Sequence, residues 1–104
     1  KDRKFVKKNE HGARLYLLSH HDPKKEMDTF LLEFDKEGNS TNIMTSTHPR
    51  QEFCFVLKGQ FNVLLNTREY ILDQGDSFYF NSNQYHLFSN MTAESAQMLW
   101  IVNH

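Results

Sequence analysis

The stretch His48–Gly59, "HPRQEFCFVLKG", decides how the chain is read. A charged start, with a histidine and a glutamate, runs straight into an aromatic and aliphatic strand. In an extended chain successive side chains alternate in direction, so Glu52, Cys54 and Val56 share one face and Phe53, Phe55 and Leu57 the other. Both faces are apolar except at Glu52. The strand is therefore expected to be buried on both sides, one face inside a barrel and one against a second layer. A lone carboxylate in such a place is costly unless it is paired or bound to a metal. Glu52 and His48 thus either sit on a solvated edge or reach inward as ligands.

Outward from this stretch the sequence reads as more strands. "RLYLLSHH" (14–21) and "MDTFLLEFD" (27–35) are separated by the turn-rich "DPKKE", and "KEGNST" (36–41) breaks the chain again. After residue 59 come "QFNVLLN" (60–66), "REYILD" (68–73), "DSFYFN" (76–81), "QYHLFSN" (84–90) and "AQMLWIVN" (96–103). Phe61, Val63 and Leu65 alternate with less apolar positions, the period of a half-buried strand. Lys58-Gly59 and Asn66-Thr67 have turn chemistry. No segment sustains a helical period. Many short, evenly spaced strands point to an all-β sandwich or barrel.

The 104 residues suffice for one domain and its core, and nine Phe, four Tyr and one Trp offset a modest 38% hydrophobic share. A formal net charge of −1 leaves no global field for nucleic acid. The basic "KDRKFVKK" start is expected to be a solvated arm or linker, residues 1–11, ahead of a single domain over 12–104. One cysteine, Cys54, excludes an internal disulfide and suits a reducing cytoplasm. No run approaches the roughly 20 apolar residues of a membrane helix, and no signal peptide is recognisable. The chain starts at Lys1 without an initiator Met, so a fragment or a processed product is expected.

Several residues are candidates for chemistry. His86 lies between Tyr85 and Leu87 on an apolar strand and shares a face with Phe88 and Asn90. Glu52 and His86 come from distant strands and are able to converge, with His48 as a third member. Cys54, on the face of Glu52, lines the same cavity or is a small buried hydrophobe. Phe61, Phe80 and Phe88 wall that cavity or simply fill the core. Arg50 pairs with an anionic ligand or lies on a solvated edge. His20 and His21 are adjacent and point to opposite faces of a strand, so they do not chelate together.

The order of these residues resembles the cupin family, the small double-stranded β-helix or jelly-roll barrel. His48, three residues, Glu52, six residues and Gly59 match the second half of its first motif. Gly75, five residues, Asn81-Ser82-Asn83, two residues, His86, three residues and Asn90 match its second motif at every spacing, with Asn in place of Pro and of Gly. Fifteen residues separate the two motifs, and the match covers about 40–103. The resemblance implies a metal site at His48, Glu52 and His86. The family's first histidine falls at Ser46, which is a poor ligand. The remaining two His and one carboxylate still form a facial set suited to a divalent ion such as Fe, Zn, Ni or Mn.

Within that family the chain is most similar to the sensor domain of bacterial XRE-type helix-turn-helix regulators. The likeness rests on "EFCFVLKG", "LDQGDSFYF", "HLFSN" and "AQMLWIV". It implies a homodimeric domain that binds a small-molecule effector, with or without metal. Ser46, Arg50, Cys54 and the aromatics would line its cavity. DNA would be contacted only through a separate N-terminal domain absent here. The architecture also resembles hydroxypropylphosphonate epoxidase, which implies the rival expectation of a mononuclear non-haem iron enzyme, an oxygenase or isomerase, working through the same three ligands.

Overall fold

The computed structural model describes residues 3–19, 24, 26–45 and 50–103. Nine strands follow one another: β1 (Lys4–Lys8), β2 (Ala13–Leu17), β3 (Met27–Phe34), β4 (Gln51–Lys58), β5 (Gln60–Leu65), β6 (Arg68–Asp73), β7 (Ser77–Asn81), β8 (His86–Ser89) and β9 (Ala96–Asn103). No helix occurs among the described residues. They build a six-stranded sheet, in the order β1-β2-β3-β9-β4-β7, and a three-stranded sheet, β6-β5-β8. All pairings are antiparallel. The sequence-order jumps from β3 to β9 and from β5 to β8 fold the chain back across itself, which gives the jelly-roll arrangement expected from the motifs.

The core lies between the two sheets because each strand turns one alternating set of side chains inward. From the large sheet come Leu32 and Phe34 of β3, Cys54 and Val56 of β4, Phe80 of β7, and Ala96, Met98 and Trp100 of β9. From the small sheet come Phe61, Val63, Leu72 and Phe88. Phe34 meets Phe61 edge to face across the sandwich, ring centroids 5.1 Å apart.

Gly59 explains why glycine ends the strand of the first motif. Its φ is +79°, and a Cβ there would lie 2.9 Å from the Ser95 carbonyl oxygen. Gly75 has φ +90° with open space around it, so only its backbone conformation calls for glycine.

Two expectations need correction. The basic start is solvated but not a loose arm: Lys4–Lys8 pairs with β2 as an exposed edge strand. The second face of β4 is not sealed against another layer: Phe53 and Phe55 are half-buried and Leu57 is exposed. One side of the large sheet faces the core and the other faces outward. His20 and His21, which follow β2, lie outside the described residues.

Candidate functional site

The site is built around Glu52. β4 is flanked by β7 and β9, with Glu52 opposite Phe80 on one side and Val102 on the other. Its parity points it inward, and it is 1% exposed. Trp100 of β9 pairs with Cys54, one step along, and its indole Nε1 donates a 2.8 Å hydrogen bond to Glu52 Oε1. Oε2 of the same carboxylate has no partner, the single such buried side-chain atom among the described residues. Buried polar atoms are almost always hydrogen-bonded, so an orphan is a signal. Burial raises the Glu52 carboxyl above its usual range, opposed by the Trp100 hydrogen bond and the charges of His86 and Arg50.

His86 begins β8, an edge strand of the small sheet. Its ring lies against Phe80, centroids 4.7 Å apart, and Phe80 packs on Phe88 at 5.7 Å. Phe80 thus connects the two ionisable groups: it is the strand neighbour of one and the ring neighbour of the other. His86 Nδ1 is 2.8 Å from the Gln84 carbonyl oxygen, and Nε2 is 2.9 Å from that of Met44. Both nitrogens therefore face backbone acceptors, and the ring ties the 40–45 turn to the β7–β8 turn. A polar cleft of about 400 Å³ opens beside this tie, between Asn42, Thr45, Asn83 and Tyr85.

The other sequence candidates fall as follows. Cys54 is fully buried next to Glu52, and burial first, then the Glu52 charge, pushes its thiol well up, so it is inert packing rather than a nucleophile. Phe80 and Phe88 are buried core side chains, and Phe80 lies beside both Glu52 and His86. Phe61 lies deeper, against Phe34. Arg50 pairs through its backbone with Ser82, its N–H donating to the hydroxyl at 2.7 Å and its carbonyl accepting from the Ser82 N–H at 2.7 Å. Ser46 and His48 lie outside the described residues. Asn90 is a structural hub: its amide donates to the carbonyls of Asp35 and Glu94 and its oxygen accepts from Thr92.

Trp100 is a site residue that the sequence did not single out. The alternation Ala96, Met98, Trp100, Val102 marks it as inward-facing. That β9 lies beside β4 was not legible, and that pairing turns an inward Trp into a partner of Glu52.

Among the described residues, a divalent ion would find Glu52 Oε2 without a hydrogen-bond partner. A neutral imidazole carries a single N–H, so one of the two His86 nitrogens donates to a carbonyl and the other keeps its lone pair. No group of three or more His, Cys, Asp or Glu side chains able to hold a metal occurs among the described residues.

The cupin domain model matches residues 30–102. This chain belongs to the cupin domain family. No curated protein matches it in sequence. Its fold is shared with the cupin domain of an XRE family transcriptional regulator from Enterobacter cloacae: TM-score 0.77, 14% identity, 89% of this chain and 97% of that one. It is also shared with a sugar phosphate isomerase of the cupin superfamily from Silicibacter pomeroyi: TM-score 0.74, 17% identity, 99% of this chain and 71% of that one. A third likeness is to an HTH_3 family transcriptional regulator from Vibrio cholerae, with TM-score 0.72, 21% identity and 89% of this chain covered. The cupin spans about half (51%) of that regulator's length.

Proposed function

We propose that this cupin is the effector-binding domain of a bacterial transcriptional regulator, with DNA contacted by a separate helix-turn-helix domain and the whole acting in the cytoplasm. The observation that carries the reading is the orphan oxygen of a fully buried Glu52 inside an aromatic-walled barrel. Such an oxygen costs stability in the empty domain and gains a partner when a ligand enters. His86 lies between the carbonyls of Gln84 and Met44 and holds the 40–45 turn against the β7–β8 turn at the barrel mouth. The likeness to regulator domains supports the same reading. The effector would act by binding one arrangement of the two domains better than the other.

The proposed partner is a second copy. On the outer side of the large sheet, Tyr79, Phe53 and Ile101 form one row across β7, β4 and β9, and Phe55 and Leu99 continue in the next. Arg3, Arg14, Glu33 and Asp35 border this apolar belt with hydrogen-bonded ion pairs. An apolar centre with a polar rim is the anatomy of an interface. The three strands of the belt span about 14 Å and eight residues about 26 Å, an area on the order of 400 Å², about half of the roughly 800 Å² per partner of a standard interface. Light scattering is expected to give a dimer mass, and Tyr79→Glu a monomer.

The function is tested by a thermal-shift screen of metabolites on the domain, with Glu52→Gln as control, followed by DNA-binding assays of the full-length protein with each hit. Hits lost in Glu52→Gln that alter DNA affinity support the sensor. Turnover of a hit, or a full-length protein without a DNA-binding domain, would replace it with the enzyme reading, an iron cupin working through His48, Glu52 and His86.

A further inference from the structure

The polar cleft beside the His86 tie has a chemistry of its own. It holds about 400 Å³ and opens between the 40–45 turn and the β7–β8 turn. Both walls are braced from behind. On one side Asn9 Nδ2 donates to the carbonyls of Asn39 and Thr41, at 2.9 and 2.7 Å, and the Asn39 side-chain oxygen accepts from the Thr41 N–H at 3.0 Å. On the other, the Gln84 side-chain oxygen accepts from the Asn81 N–H at 3.1 Å, and that of Asn66 from the Tyr85 N–H at 3.2 Å. The His86 ring spans the two walls, between the carbonyls of Gln84 and Met44. Four lining side chains take no part in this bracing. Asn42, Thr45, Asn83 and Tyr85 are exposed, and their side chains make no hydrogen bond to any described residue. Tyr85 presents its ring at 59% exposure. No Asp, Glu, Lys or Arg is among the described residues that line the cleft. We propose that this cleft is a carbohydrate site that takes a neutral pyranose ring.

A pyranose carries hydroxyls around its rim, each a donor and an acceptor, and C–H bonds on its two faces. An amide offers donors and an acceptor together, and a hydroxyl offers both, so Asn42, Asn83 and Thr45 match the rim. The C–H face suits the negative face of an aromatic ring, which Tyr85 supplies. The volume falls within the roughly 300–1,000 Å³ of small-molecule pockets. An apolar ligand would strip water from four polar side chains and return no hydrogen bond. A phosphorylated sugar would gain no Lys or Arg from the lining. Glu52 does not line this cleft, so a sugar site here stands or falls separately from the barrel interior.

Nitrogen–proton correlation spectra separate the two places. The side-chain amides of Asn42 and Asn83 and the backbone amide of Tyr85 report on the cleft, and the backbone amides of Cys54 and Trp100 report on the barrel interior. The methyl glycosides of glucose, galactose and mannose, glucose 6-phosphate, and adenosine are titrated into the domain. At least one methyl glycoside is expected to move the three cleft signals along one binding curve and to leave Cys54 and Trp100 in place. Asn83→Ala and Tyr85→Ala, both at exposed positions, should each weaken that binding at least tenfold without lowering the melting temperature. Tyr85→Phe, which keeps the ring, should lose less than Tyr85→Ala. Glu52→Gln should leave the affinity unchanged. No response of the cleft signals to any glycoside would overturn the proposal, as would full affinity in Tyr85→Ala. A response to adenosine alone would make the cleft a base-stacking site, and tighter binding of glucose 6-phosphate than of methyl glucoside would make it an anion site; either overturns the neutral-sugar assignment. Shifts confined to Cys54 and Trp100 would place the sugar in the barrel, which overturns this cleft and leaves the effector reading standing.

Discussion

The large sheet carries a glutamate on each face, and the two are opposites. Glu33, on the outer side of β3, accepts hydrogen bonds from Arg3 at 3.1 Å and Gln97 at 2.7 Å, with Arg14 3.5 Å away. Glu52, on the inner side of β4, has one neutral donor and one oxygen with nothing. Burial works to raise the carboxyl in both. At Glu33 the hydrogen bonds from Gln97 and Arg3 and the charges of Arg3 and Arg14 outweigh it, and the group is lowered. At Glu52 burial prevails and the group is raised. A carboxylate that its own fold satisfies is structural, and one that its fold leaves half-satisfied is waiting for a partner from outside the chain.

The largest expected effect contrasts the two faces by size alone. Phe61→Ala, in the sealed interior, should cost about 3–5 kcal/mol in urea unfolding. Phe5→Ala on the exposed edge strand should stay within about 0.5 kcal/mol. Similar losses at both would mean that the interior is not packed as described.

The next contrast is in pH dependence, where the signs differ. A raised carboxyl stabilises the fold fully below its unfolded value, about 4.3, and that contribution is lost as pH rises through the higher folded value. A lowered carboxyl contributes above the unfolded value and loses it as pH falls through the folded one. The melting temperature of the wild type relative to Glu52→Gln should therefore fall as pH rises from about 4 toward neutrality. Relative to Glu33→Gln it should fall as pH drops below about 4. The same sign at both sites would remove the contrast.

A smaller effect concerns salt. The outer ion pairs are partly exposed, so Glu33→Gln should cost at most about 1 kcal/mol, and less at 1 M salt. Glu52→Gln should be insensitive to salt. The smallest is a null rate: the native Cys54 thiol should not react with an aqueous thiol reagent on the timescale of minutes, and should react at once in denaturant. Rapid native labelling would show that the interior is open to water.

Much of this was legible in the chain. The β6 and β9 strands coincide with the segments read as strands over 68–73 and 96–103, and the motif spacing put Glu52 and His86 on different strands of one barrel. The edge strand at Lys4–Lys8 was hidden because its residues are nearly all exposed, and a strand held by backbone bonds alone leaves no apolar period. The hydrogen bonds of His86 were hidden for a related reason: its partners are the backbone carbonyls of Gln84 and Met44, and backbone atoms carry no residue-type signal. The Trp100–Glu52 bond needed the β4–β9 pairing, which joins residues 48 positions apart.

The most direct measurement is the metal content of tag-free domain purified without chelators, beside Glu52→Ala. If His86 is a tie between two turns and Glu52 an acceptor for an organic ligand, both proteins should hold far less than one equivalent of transition metal. Near one equivalent in the wild type, lost in Glu52→Ala, would contradict this: His86 would have left Gln84 and Met44 to join Glu52 around an ion.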